Sequence, residues 1–254
     1  MDTDGRQRPV RIAAAGDIHV REATRDEVAA AFADAAAAVD AILLAGDLTT
    51  HGEPEQARAL ARACRPLDVP VVAVLGNHDW HANRRDELVA ELDEAGIAVL
   101  DPGVVTLELG GCDVAVVGVK GFIGGFPGSH LPDFGEPILR QVYAQCTAEV
   151  EALDRGLREV AVCSIRIVLL HYAPTVETIR GERRDIWAFL GTDRLAAPIV
   201  EHDPHLVLHG HAHGGTFAGA IGEVPVYNVS VPVMGRDFSV FELTGAAAAT
   251  TGVR

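Results

Sequence analysis

Several features are missing from this sequence of 254 residues, and each absence excludes a class of protein. No apolar run approaches the roughly 20 residues that a membrane-spanning helix needs. No apolar segment with a cleavage site follows residues 1–8, so we predict no secretory signal and a cytoplasmic location. No linker rich in Ser, Pro and Gly divides the chain. We therefore expect a single domain over residues 1–254, with flexible ends at 1–9 and 245–254.

Cysteine and basic residues are also scarce. The four cysteines are widely spaced and form no CxxC pair, which predicts buried thiols rather than a zinc cluster or disulfides. Lys and Arg total 21 against 36 Asp and Glu, giving a net charge of −15. A dedicated nucleic-acid binder carries a basic face. We therefore expect no dedicated nucleic-acid binding and no membrane partner.

Short apolar runs alternate with helical segments along the chain. Helices are predicted between the runs, at 24–39, 54–65, 84–95 (with Asn83 as the cap), 137–157 and 192–200. The early β-α alternation predicts parallel pairing, whereas residues 107–119 and the C-terminal strands look antiparallel. This mixture predicts an α/β fold with mixed sheets. The predicted strands are 11–15, 41–45, 69–75, 114–119, 166–170, 205–208, 224–229 and 239–243.

Five groups of metal-binding residue types follow these predicted strands. Each group alone has an ordinary explanation, such as a turn aspartate or a hydrogen-bonded core histidine. Their shared position decides between the two interpretations, because the carboxyl ends of strands in an α/β sheet form a ligand-binding crevice. The groups are Asp17-x-His19, Gly46-Asp47, Gly76-Asn77-His78-Asp79, His171 and Gly210-His211-Ala212-His213.

The order of these motifs resembles that of the calcineurin-like metallophosphoesterases, over residues 11–243. The resemblance implies a four-layer αββα sandwich, in which two mixed β-sheets are flanked by helices. It implies that Asp47 bridges two metal ions, that His78 is catalytic and that Asp79 orients His78. The implied ligands are Asp17, His19, Asp47 and His213 for the first ion, and Asp47, Asn77, His171 and His211 for the second.

The chemistry of these side chains agrees with the resemblance. Imidazole, carboxylate and amide oxygen without thiolate suit Mn, Fe or Zn, with Co or Ni as further candidates. A water between two such ions becomes hydroxide near neutral pH and can attack phosphorus directly. His78 can supply a proton to the leaving oxygen near pH 7. We therefore expect hydrolysis of a phosphate monoester or diester without a covalent phosphoenzyme.

Two loops with no readable motif, at 121–137 and 174–191, follow strands that carry site residues and are expected to shape substrate access. Asn77 and His78 are candidate substrate-binding residues, as are Arg180 and Arg184 in the second loop, although the mixed-charge surroundings of the two arginines favour a solvated loop. Trp80 and Trp187 could wall a pocket or pack in the core. Among the other histidines, His209 is expected to make a structural hydrogen bond.

Two other functions compete with hydrolysis of a small phosphorylated substrate. A nuclease or protein phosphatase would use the same residues, although the net charge disfavours a nuclease. A catalytically weak scaffold, acting through protein interactions, would be expected to have lost ligands or His78. The sequence does not identify the substrate, the native metals or the oligomeric state. A homodimer is one of the open possibilities.

Overall fold

The computed structural model describes residues 8–245 and the backbone of 247–250. Seven α-helices lie within this part: α1 (Arg25–Ala36), α2 (Pro54–Cys64), α3 (Arg85–Asp93), α4 (Pro137–Glu159), α5 (Trp187–Leu190), α6 (Ala196–His202) and α7 (Val231–Met234). The strands there are β1 (Val10–Ala15), β2 (Ala41–Ala45), β3 (Val71–Val74), β4 (Ile97–Val99), β5 (Gly103–Leu109), β6 (Cys112–Gly118), β7 (Ile165–Leu169), β8 (Leu206–His209), β9 (Ala218–Ile221), β10 (Val224–Asn228), β11 (Ser239–Thr244) and β12 (Ala247–Thr250).

These strands form two six-stranded sheets, with the orders β12-β11-β1-β2-β3-β4 and β5-β6-β7-β8-β10-β9. Neighbouring strands run parallel from β1 to β4 in the first sheet, and from β6 through β7 and β8 to β10 in the second. The other pairs are antiparallel: β11 pairs with β1 and with β12 in the first sheet, while β5 pairs with β6 and β9 with β10 in the second. Both sheets are mixed, which confirms the predicted α/β class.

Three apolar layers hold the fold together. Side chains from both sheets, such as Leu43 and Ile167, meet in a core between the sheets. The outer face of the first sheet packs against the α1–α3 side, where Leu60 and Leu88 are buried. The outer face of the second sheet packs against α4 and α6, where Leu153 is buried. The layers are therefore helix, sheet, sheet and helix, which confirms the αββα sandwich.

Three local predictions concern the cap of α3 and the two ends of the chain. Asn83 was expected to cap α3, but the N-cap position belongs to Arg84, and Asn83 itself has a left-handed φ of 53°. Within the C-terminal end predicted to be flexible, at 245–254, residues 247–250 form β12, which pairs antiparallel with β11. Residues 1–7 of the expected flexible N-terminal end lie outside the described residues. Among those described, no helix combines the length and apolarity needed to cross a membrane.

The core role of α4 leads to a stability prediction. Leu153→Ala removes a fully buried side chain and should lower the free energy of unfolding by about 2–5 kcal/mol, because the cavity is only partly refilled. Urea denaturation followed by circular dichroism measures this change. Leu139→Ala on the same helix is the control, because Leu139 is exposed and its loss should cost under about 0.5 kcal/mol. Equal losses would contradict the assigned packing.

Candidate metal centre

The predicted ligands come from both sheets and meet at one end of the sandwich. In the first sheet they follow β1, β2 and β3, and in the second they follow β7 and β8. Because these strands are parallel within each sheet, their carboxyl ends lie at the same edge. The packing of one sheet on the other then brings the two edges together. All seven predicted ligands lie at this junction: Asp17, His19, Asp47, Asn77, His171, His211 and His213.

Four of these residues turn the backbone through the left-handed region, which favours glycine. Their φ angles are 57° at Asp17, 43° at His19, 48° at Asp47 and 69° at His211. A non-glycine residue in this region costs about 1 kcal/mol or more, and such strain concentrates at functional sites. The strand ends are therefore held in conformations that local sequence preferences alone would not select.

The first ligand cluster contains Asp17, His19 and His213. One donor atom from each of these side chains lies within 4.8 Å of the others. Asp17 is 4% exposed, and its Oδ1 lies 2.8 Å from His213 Nε2, while its Oδ2 accepts the His211 backbone N–H at 2.9 Å. The hydrogen bond that His213 donates to the Asp17 carboxylate raises the pKa of His213.

The second cluster contains Asp47, His171 and His211, and Asn77 joins it. Asp47 Oδ1 is 3.4 Å from His171 Nε2, and Asn77 Oδ1 is 3.0 Å from the same nitrogen. His171 is fully buried, and its Nδ1 lies 2.9 Å from the Ala45 carbonyl at the end of β2. His211 Nε2 lies 3.0 Å from the Phe189 carbonyl, and burial lowers the pKa of His211 to about 3.

The donor set fits metal cations. A neutral His171 that donates its Nδ1 proton to Ala45 presents a lone pair at Nε2. That lone pair meets the side-chain oxygens of Asn77 and Asp47, so acceptors converge with no proton between them. Buried carboxylates are costly unless positive charge compensates them. A borderline cation bound to the nitrogen and oxygen atoms would resolve both problems.

Two glycines of the motifs allow the ligand loops to approach closely. A Cβ on Gly76 would stand 2.1 Å from Asp47 Oδ1, and one on Gly210 would stand 2.3 Å from Asp17 Oδ2. Any larger residue would displace the carboxylate beside it. Gly76 and Gly210 therefore leave room for the carboxylates of Asp47 and Asp17, because a glycine has no side chain.

The His78 ring lies beside the two clusters, with Nε2 toward Asp47 and Nδ1 toward the Thr50 carbonyl. Its Nδ1 is 2.8 Å from the Thr50 carbonyl, and its Nε2 is 3.9 Å from Asp47 Oδ2. Its backbone N–H donates to Asp47 Oδ1 at 2.8 Å. Since the carbonyl can only accept, the Nδ1 proton is directed to Thr50 and Nε2 faces the site.

Asp79 is predicted to orient His78, but the hydrogen bonds of its carboxylate run to three backbone N–H groups and one hydroxyl. The carboxylate accepts backbone N–H groups from Leu48 at 3.1 Å, Thr49 at 2.8 Å and Gly76 at 2.8 Å, and the Thr49 hydroxyl at 2.7 Å. Burial, together with the charge of Asp47, raises the pKa of Asp79 to about 6. Asp79 therefore ties the loop after β2 to the loop after β3, and Thr50 takes the orienting role.

Comparison with known proteins identifies the family. The family model for calcineurin-like phosphoesterases matches residues 10–215. The chain belongs to this family. It is accordingly a metal-dependent hydrolase of phosphoric esters. No curated protein sequence gives a match.

Solved structures support the family fold. The phosphopantetheinyl hydrolase of Mycobacterium tuberculosis has a TM-score of 0.65 at 17% identity, covering 89% of this chain and 90% of its own. A putative 5′-nucleotidase of Staphylococcus aureus has a TM-score of 0.61 at 15% identity, covering 96% of this chain and 53% of its own. An anchor of the Plasmodium inner membrane complex reaches 0.61 at 13% identity, covering 97% and 90%. At these identities the likeness concerns the fold alone.

The two arginines predicted to bind phosphate have other partners in this phosphoesterase. The exposed Arg180 lies 3.6 Å from Glu177, and Arg184 lies over the ring of Trp187 at 5.0 Å. Both guanidinium groups are therefore engaged within their own loop. The structure gives no support for their role as phosphate ligands.

The two tryptophans and two further histidines occupy different surroundings. Trp80 is 41% exposed and lines a cavity beside the site, whereas Trp187 packs in a small core near Phe126. His209 is fully buried, with Nε2 2.7 Å from the Thr178 hydroxyl, which confirms its structural hydrogen bond. The ring of His81 lies 4.3 Å from that of His78, at the site itself.

Sequence patterns did not reveal two further residues beside the centre. Lys120 and Tyr172 line a cavity of about 1040 Å³ that also includes Asn77. Tyr172 follows His171 directly, and Lys120 follows β6 at the same edge of the second sheet. Their position after strands was the available signal, but neither residue type belongs to a metal motif.

The hydrogen bonds of Asp79 give a prediction that separates support from catalysis. Asp79→Asn places an amide donor against backbone N–H groups, so it should lower the free energy of unfolding by about 3 kcal/mol and reduce bound metal. Thermal denaturation and elemental analysis measure both effects. Asp113→Asn, at an exposed position, is the control. Unchanged stability with slow turnover would instead support a catalytic role for Asp79.

Proposed function

We propose that this phosphoesterase holds two metal ions and uses them to hydrolyse a phosphate monoester or diester. The position of Asp47 carries the proposal. Its Oδ2 lies 3.8 Å from His19 Nε2 on the side of the first cluster, and its Oδ1 lies 3.4 Å from His171 Nε2 in the second. A carboxylate with one oxygen toward each cluster is suited to bridging two ions.

The residues divide between two ions around this bridge. Two ions bound there would supply the nucleophile and neutralise charge on the phosphoryl oxygens. Mn, Fe or Zn suits these ligands best, and Co or Ni is also compatible. The proposed ligands are Asp17, His19, Asp47 and His213 for one ion, and Asp47, Asn77, His171 and His211 for the other.

His78 is proposed to protonate the leaving oxygen. The Thr50 carbonyl fixes the ring through Nδ1, so Nε2 stays directed at the site. A histidine held in this way can donate a proton near neutral pH without rearranging. Direct attack then needs no covalent phosphoenzyme, because no side-chain nucleophile is required.

The alternatives rest on weaker observations. The Plasmodium protein that shares the fold is described as an anchor, so the fold alone does not establish catalysis. Here, however, all the predicted ligands converge and His78 faces them, which favours catalysis over a scaffold. The net charge of −15 disfavours a nuclease. A protein phosphatase is the remaining competitor and would be distinguished by its substrates.

The two-ion proposal is tested by metal removal and addition. Protein stripped with a chelator should be inactive on p-nitrophenyl phosphate and its bis ester, and Mn²⁺ should restore turnover because the ions supply the nucleophile. Asp47→Asn should lower the occupancy of both ions in elemental analysis, while Asp113→Asn should leave it unchanged. Two ions still bound to Asp47→Asn would refute the bridge, and no turnover with Mn, Fe, Zn, Co or Ni would favour the scaffold.

The role of His78 has its own test. His78→Ala should retain both ions but slow hydrolysis of an alkyl phosphate by about 100-fold or more, because the leaving oxygen loses its proton donor. The loss should be smaller for p-nitrophenyl phosphate, whose leaving group needs no proton. His130→Ala is the control, because the exposed His130 contacts Asp193 outside the centre. Lost metal in His78→Ala would make His78 a ligand instead.

A further inference from the structure

Lys120 is the only lysine in the chain, and it lies at the metal centre. Its backbone carbonyl accepts the N–H groups of His171 at 3.1 Å and Tyr172 at 3.0 Å. Lys120 is therefore joined directly to the segment that carries a proposed metal ligand. The Tyr172 ring in turn lies 4.4 Å from the ring of His211, another proposed ligand.

The Lys120 side chain is buried between aromatic rings at the wall of the adjoining cavity. Only 7% of the residue is exposed, and its Nζ lies 4.6 Å from the Phe122 ring centre and 5.3 Å from that of Tyr172. Cations are attracted to aromatic faces, but an ammonium group also needs hydrogen-bond acceptors for its three protons. The rings of Phe122 and Tyr172 attract the ammonium charge, but they do not replace hydrogen-bond acceptors for its three protons.

Most of the hydrogen-bonding capacity of this ammonium group is unused. Nζ donates to the Gly121 carbonyl at 3.2 Å, while the carboxylates of Glu149 and Asp101 attract its charge without a hydrogen bond to it among the described residues. The nearby Glu149 is engaged elsewhere, since its oxygens accept the Gly121 N–H at 3.0 Å and the Gln145 amide at 3.2 Å. Two N–H donors of a buried cation are left for a ligand in the cavity.

The other cations of the cavity are paired. Arg84 Nε lies 2.9 Å from Glu87, and Arg85 Nε lies 2.9 Å from Asp101. Lys120 is thus the cation that the cavity wall presents for an incoming anion. The cavity extends from Asn77 at the centre and has aromatic walls at Trp80, Phe122 and Tyr172. A substrate whose phosphoryl group reaches the centre would place its alcohol portion there.

We propose that this cavity binds the alcohol portion of the substrate, and that Lys120 selects esters whose alcohol portion carries a second anion, a carboxylate or a phosphate, on a flat or apolar body. The proposal rests on the proposed function for the position of the reacting phosphoryl group. It deepens that function by naming the substrate class. Lys120 is a specificity residue here, since it contacts the part of the substrate that leaves.

Matched substrates test this selection. The Mn²⁺-loaded protein should have a kcat/KM at least about 10-fold higher for para-carboxyphenyl phosphate than for phenyl phosphate, because a charge-assisted hydrogen bond contributes about that factor. Hydroquinone bisphosphate against phenyl phosphate tests a phosphate as the second anion. Lys120→Met keeps an apolar stem but should lose the preference, so the ratio of kcat/KM for the two substrates should fall to about 1 because the charge-assisted hydrogen bond is gone.

Two variants control for charge and folding. Arg155→Met removes an exposed cation from α4 without touching the cavity, so it should keep the preference. Lys120→Met/Glu149→Gln removes both buried charges together and keeps the comparison possible if Lys120→Met alone misfolds. An equal loss on both substrates, or a preference that survives without Lys120, would overturn the proposal.

Binding of phosphonates separates this proposal from the proposed function. Calorimetry should show para-carboxybenzylphosphonate binding at least about 10-fold more tightly than benzylphosphonate, with the difference absent in Lys120→Met. Equal binding to the unmodified protein would overturn the anion site, whatever the activity. A Lys120-dependent difference without hydrolysis of any phosphate ester would leave the anion site standing and refute the proposed function.

Discussion

Two carboxylates buried among histidine rings are the constraint on which the rest of this structure depends. Asp47 is 2% exposed and Asp17 is 4% exposed, and their side chains face His19, His171 and His213. Neutral imidazoles compensate a carboxylate poorly, so the arrangement calls for added positive charge. The family to which the chain belongs is metal-dependent, and the site agrees with that requirement in its donor atoms.

Holding these groups together requires the whole sandwich. His171 follows a strand of the second sheet, yet its Nδ1 is bound to Ala45 at the end of a first-sheet strand. Asp79 ties together the loops after β2 and β3 through backbone N–H groups. The apolar core between the sheets therefore sets the distance between the ligand clusters, and loss of packing would separate them before any ligand was changed.

The same sheet edge also brings together the groups that would choose the substrate. Lys120 lies at the start of the loop that follows β6, and its carbonyl accepts N–H groups from the segment after β7, so the cavity wall is joined directly to the metal centre. Arg180 of the 174–191 loop pairs with Glu177 of the same loop. Lys120, in contrast, is buried between aromatic rings, which hold its ammonium group at the cavity wall.

The linear sequence determined the chemistry and most of the elements. Buried runs such as Ala41–Ala45 are strands because they are apolar throughout, and the motifs at their ends already contained the seven predicted ligands. The tertiary structure decided what local patterns cannot encode. The Asp79 carboxylate binds backbone N–H groups 30 and 31 residues away and one across a tight turn, which no motif reveals. The partner of His78, the burial of Lys120 and the approach of the Asp47 oxygens to His19 and His171 all depend on contacts between distant strands. Such contacts exist only once hydrophobic burial has packed one sheet on the other.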